Sequence, residues 1–302
     1  MIEYLARPGS RHRNDLSAAQ DVNVAPLAER LPPGLRVQWL GTAGFRFSYG
    51  GYDLVIDPYV TRPGVRNVLG GSPIAPDATL VAEHIPRADA VLVGHTHFDH
   101  ALDVAALCRL YGCTAYGSAS LVRLLGFLGA PQLVKQVVPH KVLSLGPFEV
   151  TFVPSRHSPL LLGLGVPYDG ELTCDHLDHL RGRDFRCGQV YGIHIAVAGM
   201  SFYHQGSAEL LDEQVRHKGV DVLLACIAGR GFAPSYLSRV VRALEPGVVV
   251  AHHHDNFFLP LDAPMGFSFN VNFGAFLDEV RAVSRDLEVR AFSPLQWIGR
   301  DA

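Results

Sequence analysis

The run "DAVLVG" at 89–94 opens straight into "HTHFDH" at 95–100, and no other stretch limits the fold as tightly. A continuous aliphatic run is what a strand covered on both faces looks like. Beyond the cluster, Val104, Leu107, Cys108 and Tyr111 fall at i, i+3, i+4 and i+7, the stripe of an amphipathic helix. Three imidazoles and a carboxylate thus sit at the C-terminal end of a buried strand, where a helix begins. That is a layered architecture with its chemistry at a sheet edge, because the sheet fixes the backbone while loops present side chains.

The rest of the chain supplies elements for two sheets. "RVQWLG" reads as a strand, and "GFRFSYGGYDLVIDPY" as a hairpin: Phe45, Phe47 and Tyr49 alternate with polar residues, Gly50 and Gly51 turn, and Leu54 and Ile56 return. Further strands are expected at "CTAYG", "LVKQVV", "KVLSL", "FEVTFVPSRHS", "QVYGIHIAVA", "MSFYHQGS", "VDVLLACIA", "GVVVAHHHDNF" and "LEVRAFSPLQW". Helices are expected at "SASLVRLLGFLG", "AELLDEQVRHKG", "PSYLSRVVRALE" and "FGAFLDEVRAVSRD". Strands open each half and alternate with helices later, which predicts two similar halves packed sheet to sheet with helices outside. Residues 1–33, rich in charge and closed by Pro32 and Pro33, read as a partly helical extension, and 34–302 as one domain. Residues 158–188 lose periodicity and read as a long loop insertion, a length that is usually functional.

Composition narrows the function classes. With 48% hydrophobic and 18% charged residues the chain is expected to be globular and not disordered. A net charge of −3 offers no broad basic face for phosphate neutralisation, so nucleic acid is not expected as a partner. Five cysteines (108, 113, 174, 187 and 226) show no CxxC spacing, which predicts neither a disulfide framework nor a thiolate metal site. No 18-residue apolar span and no signal-peptide core are present, so a cytoplasmic protein without a transmembrane segment is expected. Oligomeric state is not encoded in any of these features.

Polar residues gather at four strand ends: His95/His97/Asp99/His100, His157, Gly206/Ser207 and His252/His253/His254. His95 and His97 are two apart on an extended segment and face the same way, while Asp99 and His100 follow the turn and can face a second point. Imidazole nitrogens with a carboxylate suit Zn²⁺ or a similar first-row ion such as Mn²⁺ or Fe²⁺. Burying four such groups without a metal would leave several polar atoms to satisfy at once. His84, His140, His194 and His204, each alone, are expected to be hydrogen-bonded structural histidines. Cys174, His176 and His179 lie in the loop insertion and are taken as solvated or substrate-contacting groups.

"HTHFDH" fits the HxHxDH signature of the metallo-β-lactamase-fold hydrolases, and "VQWLGTAGFRFSYGGYDLVIDPY", with Asp57 closing its last strand, resembles their opening strands. The resemblance extends over about residues 35–298 and is nearest the ascorbate-6-phosphate lactonase-like and N-acyl-phosphatidylethanolamine phospholipase D-like branch. It implies a four-layer αββα sandwich with one or two metals at the sheet edge. Carried over by position, His95, His97 and His157 would form one metal site and Asp99, His100 and His253 the other, with His252 and His254 less well placed. The family's "GD", whose Asp bridges two metals, is here Gly206-Ser207, and a hydroxyl cannot supply the bridging charge. One metal held tightly and another weakly, a substitute ligand such as His204, or a lost activity are the three consequences.

The expected function is metal-assisted hydrolysis of an ester, lactone, amide or phosphodiester bond in a small molecule, with Asp99 orienting or deprotonating the attacking water. Arg156, beside His157, could pair with an anionic substrate group, although a surface charge is the simpler reading. Ser207 keeps a second class open, a non-catalytic metal- or ligand-binding protein on the same fold. Oxygen chemistry at two irons would call for more carboxylate ligands and a flavin partner domain.

Overall fold

Alternation in "GFRFSY" and "YDLVI" gives the hairpin β2 (Gly44–Tyr49) and β3 (Tyr52–Ile56), and Gly50 and Gly51, at φ 58° and 75°, take the left-handed turn conformations that close it. The computed structural model describes residues 8–160, 163, 165–174, 177, 179–269 and 271–300; His176 lies outside them. Seven strands order as β14-β1-β2-β3-β4-β5-β6 in one sheet, with β1 (Arg36–Gly41), β4 (Ala90–Leu92), β5 (Thr114–Gly117), β6 (Val134–Gln136) and β14 (Trp297–Gly299). The other orders as β13-β12-β11-β10-β9-β8-β7, with β7 (Val142–Leu145), β8 (Phe148–Ser155), β9 (Val190–Val197), β10 (Met200–Gln205), β11 (Val222–Cys226), β12 (Val248–His252) and β13 (Glu288–Ala291).

Inner faces of the two sheets bury Trp39, Phe45 and Phe47 against Phe148, Phe152 and Phe202, with Phe47 and Phe202 edge to face at 5.0 Å. Truncating one such ring to alanine costs about 3–5 kcal/mol. Outside the first sheet, Val91 and Val93 meet Leu107, Leu121 and Leu124 of α5 (Val104–Tyr111) and α6 (Ala119–Phe127). Outside the second, Leu223 and Val249 meet Leu237, Val240, Phe276 and Val280 of α7 (Tyr236–Leu244) and α8 (Phe273–Val283). Helix, sheet, sheet, helix is the αββα sandwich. Within the N-terminal extension, α1 (Pro8–Asp21) packs on α8, and Asp15 accepts from the N–H groups of Phe273 and Gly274 at its start.

Two sequence expectations need correction. Residues 208–219 form only a 3₁₀ turn at Asp212–Gln214 and no α-helix: the Arg239 guanidinium binds Asp212 and Glu209 and donates to the Leu210 carbonyl (3.1 Å), removing an acceptor that a helix would use. The closing stretch is two strands in different sheets, because Pro294 has no N–H to continue the ladder and Leu295 turns at φ 60°, sending the chain across to pair with β1. Outside those expectations, two short helices, α2 (Val65–Leu69) and α3 (Ala78–His84), lie between β3 and β4; Asp77 caps the second through the N–H groups of Thr79 and Leu80. The described part of 158–188 is loop, apart from a 3₁₀ turn at Gly182–Asp184.

Candidate metal centre

After β4 the backbone stays extended through His97 (φ −60°, ψ 153°), then turns into the single-turn helix α4 (Phe98–Ala101), with the His100 and Ala101 N–H groups donating to the His97 carbonyl. This puts His95 and His97 on one side of the turn and Asp99 and His100 on the other. β8 delivers His157, β12 delivers His253, and two groups of three result: His95, His97 and His157; Asp99, His100 and His253. Within each, one ligand atom per residue lies within 4.8 Å of the others. The groups adjoin, with the His95 and His100 rings 3.8 Å apart.

The ring nitrogens are sorted by their outer partners. His97 Nε2 donates to the Pro167 carbonyl (2.8 Å), His157 Nδ1 to the Ser158 carbonyl (2.7 Å) and His100 Nδ1 to the Asp57 carboxylate (2.8 Å), so the opposite nitrogen of each keeps its lone pair for the centre. Metal-binding histidines are oriented by outward donation of this kind. His95 Nε2 and His97 Nδ1 stand 3.1 Å apart, and Asp99 Oδ2 is 3.3 Å from His253 Nε2 and 3.9 Å from His100 Nε2. Ligands on one tetrahedral Zn²⁺ at Zn–N of about 2.0–2.1 Å are separated by about 3.3 Å. The donor set fits a divalent first-row ion at each group.

Burial sets the protonation states. It lowers His97 to about 4 and His157 to about 3, which keeps both rings neutral at neutral pH. Burial alone would raise the Asp99 carboxyl, but His100 and then His253 outweigh it and hold Asp99 well below the usual carboxylate range. His100 is raised: burial opposes its charge, and the Asp57 and Asp99 carboxylates prevail. Asp57, itself fully buried, accepts from Gly94 N–H through Oδ1 (2.7 Å) while its Oδ2 holds His100.

The remaining candidates fall outside the two groups. Ser207 Oγ accepts from Ser158 N–H (3.1 Å), so the hydroxyl pins the segment beside His157. His204 donates from Nε2 to the Ala43 carbonyl (2.9 Å) and His252 to that of Leu224 (3.2 Å); the two rings stack at 4.9 Å against Phe45. His254 stacks on Trp39 at 4.7 Å. Arg156, Cys174 and His179 are exposed. Two contributors escaped the sequence: the Pro167 carbonyl, a backbone atom without a residue signature, and Thr96, whose N–H and hydroxyl donate to the Cys187 and Arg186 carbonyls and tie down the end of the long loop. Phe257 stands edge-on to His253 at 5.6 Å and packs with Phe258, an apolar flank beside the second group.

A family model described as the beta-lactamase superfamily domain matches residues 36–253. A metal-dependent hydrolase of Anaeromyxobacter sp. (strain K) is 29% identical over 232 residues, 73% of this chain and 75% of that one. A metal-dependent hydrolase of Methanopyrus kandleri is 26% identical over 223 residues, 74% and 85% of the two chains. Among solved structures, a metallo hydrolase from Ignicoccus hospitalis superposes with TM-score 0.59 at 19% identity, covering 87% of this chain and 97% of that one. A diiron beta-hydroxylase from Streptomyces venezuelae does so with TM-score 0.56 at 16% identity, covering 89% and 54%. The shared fold therefore hosts more than one chemistry.

Proposed function

Since the chain belongs to the beta-lactamase superfamily domain family, we propose that it is a cytoplasmic metal-dependent hydrolase that cleaves an ester, lactone, amide or phosphodiester bond of a small molecule. His95, His97 and His157 hold one Zn²⁺, and Asp99, His100 and His253 hold a second, weaker one. The observation that carries this reading is the outward donation of His97, His157 and His100, which turns the other nitrogen of each toward its group. Such a metal, when bound, supplies Lewis acidity, polarising the oxygen under attack and making water available as a nucleophile near neutral pH.

The chain's own residues do the rest. Asp99 stays ionised although buried, so it can accept a proton from water and fix that water's orientation. Neutral His97 and His157 present lone pairs and do not compete for the proton. Asp57 locks the His100 tautomer, and the Pro167 carbonyl locks that of His97. Of the cations, buried Arg62 pairs with Asp255 and buried Arg230 with Glu279, whereas Arg156, beside His157, is exposed and could meet an anionic group of a substrate.

The test is a panel of ester, lactone, amide, thioester and phosphodiester substrates against metal-loaded and chelator-treated protein. Turnover on at least one of the five that disappears with chelation and returns with Zn²⁺ is expected. Metal binding without turnover on any of the five would favour instead a ligand-binding protein on this fold, the reading to which the Ser207 hydroxyl at the bridging position points.

A further inference from the structure

Besides Asp57, three non-glycine residues around the second group hold left-handed backbone: Thr42 at φ 51°, Arg62 at φ 46° and His253 at φ 58°. Such conformations are uncommon and persist where surrounding contacts over-determine them. Here the contacts join the three to one another. His253 N–H donates to the Thr42 carbonyl (2.8 Å), and Thr42 N–H donates to Asp255 Oδ1 (2.9 Å). Arg62 Nη2 donates to Asp255 Oδ2 (2.5 Å) and to the Thr42 hydroxyl (3.3 Å). Gly41 is the floor of this arrangement: a Cβ there would lie 1.9 Å from Arg62 Nη2 and 3.0 Å from Asp255 Oδ2.

Both side chains of the ion pair are 3% exposed. A pair that deep gains little over well-packed apolar residues, since desolvation offsets its attraction. What it does gain is direction, because a planar guanidinium fork fixes two acceptors at once where an ammonium fixes one. The acceptors it fixes are the residue that receives the His253 N–H and the residue two positions beyond His253.

We infer that Arg62 is a positioning residue for His253: with Asp255 and Thr42 it sets the left-handed turn that brings His253 Nε2 to 3.3 Å from Asp99 Oδ2. The inference rests on the reading of Asp99, His100 and His253 as a metal half-site. His97 and His157 donate their outer hydrogen bonds to the Pro167 and Ser158 carbonyls, neither of which belongs to the clamp, so its loss is expected to be felt at one half-site only.

The experiment loads metal-free protein with Co²⁺, follows the visible ligand-field bands, and measures affinity against a chromogenic chelator. His253→Ala and His157→Ala identify the step belonging to each half-site. Arg62→Met alone would strand a buried carboxylate and endanger folding; the neutral double variant Arg62→Met/Asp255→Asn, which keeps an acceptor for Thr42 N–H, therefore carries the test. Its His253-dependent step is expected to weaken about 10–100-fold, with altered bands, while the His157-dependent step stays within about twofold of wild type. Arg62→Lys should fall between, and it decides the matter if the double variant does not fold. Equal weakening of both steps, or wild-type affinity and bands at both, overturns the positioning role. A wild-type protein without any His253-dependent step overturns the half-site reading as well.

Discussion

Asp57→Asn changes one atom and should disable one half-site. Asp57 sits at φ 43°, a backbone conformation that asparagine also tolerates, and its two oxygens have separate duties: Oδ1 accepts from Gly94 N–H at 2.7 Å and Oδ2 from His100 Nδ1 at 2.8 Å. An asparagine that keeps its oxygen toward Gly94 turns an NH₂ onto the His100 N–H, donor against donor. The ring can resolve this only by moving its proton to Nε2, the nitrogen that faces Asp99, which ends its service as a ligand. Flipping the amide instead sets the NH₂ against Gly94 N–H, and nearby space is short, since a Cβ on Gly94 or on Gly206 would lie 3.2 Å from Asp57 Oδ2. Loss of an outer partner of this kind weakens metal binding about 10–100-fold, or about 1.4–2.8 kcal/mol. Losing the charge-assisted hydrogen bond costs the fold about 1.5–3 kcal/mol. Chelator competition on wild type and Asp57→Asn, alongside urea denaturation of the metal-free proteins, reads both quantities. Unchanged affinity at the His100-containing site, in a folded variant, would refute the claim that Asp57 selects the tautomer.

Asp99→Ala should lower turnover on any substrate found in the panel by about 10²–10⁴-fold with an unchanged far-UV circular dichroism spectrum; retained turnover would remove Asp99 from the chemistry. Ser207→Asp places a carboxylate where the family resemblance puts a bridging ligand and, if that correspondence holds, should tighten the weaker metal about tenfold, about 1.4 kcal/mol, as read by the same competition; no change would show that the position does not face the metals. Away from the centre, His194 is lowered to about 4 by burial and by its stacked neighbour His217, 3.9 Å away. Because its folded value lies below its unfolded one near 6.5, its contribution is present above about pH 6.5 and is lost as pH falls toward 4. His194→Gln should flatten the fall in melting temperature across that window, and parallel curves for variant and wild type would count against the shift.

Much of this architecture was legible because its strands carry strong period-two or fully apolar patterns and its polar residues cluster where those patterns stop. "DAVLVG" followed by "HTHFDH" located the edge of the sheet, His157 follows β8 by two positions, and β12 ends at His252 with His253 next. What failed did so for local reasons. Residues 208–219 offered a few apolar positions that resembled a helix until Arg239, distant in sequence, claimed the Leu210 carbonyl. The stretch after α8 is broken at Pro294, which has no N–H to continue a ladder although the residues on either side suit a strand. The triplet His252-His253-His254 was beyond periodicity alone, because β12 ends at His252 and a left-handed residue follows, so the three rings point to three different surroundings. Arg62 had no signature at all: as one arginine in an irregular stretch, it owes its surroundings to Gly41 and Asp255, 21 positions before and 193 after it in the chain.

The most direct test of the account is an equilibrium titration of metal-free protein with Zn²⁺ against a chromogenic chelator. Two unequal binding steps per chain are expected, the tighter abolished by His157→Ala and the weaker by His253→Ala. No binding, or a single step insensitive to both substitutions, would contradict it.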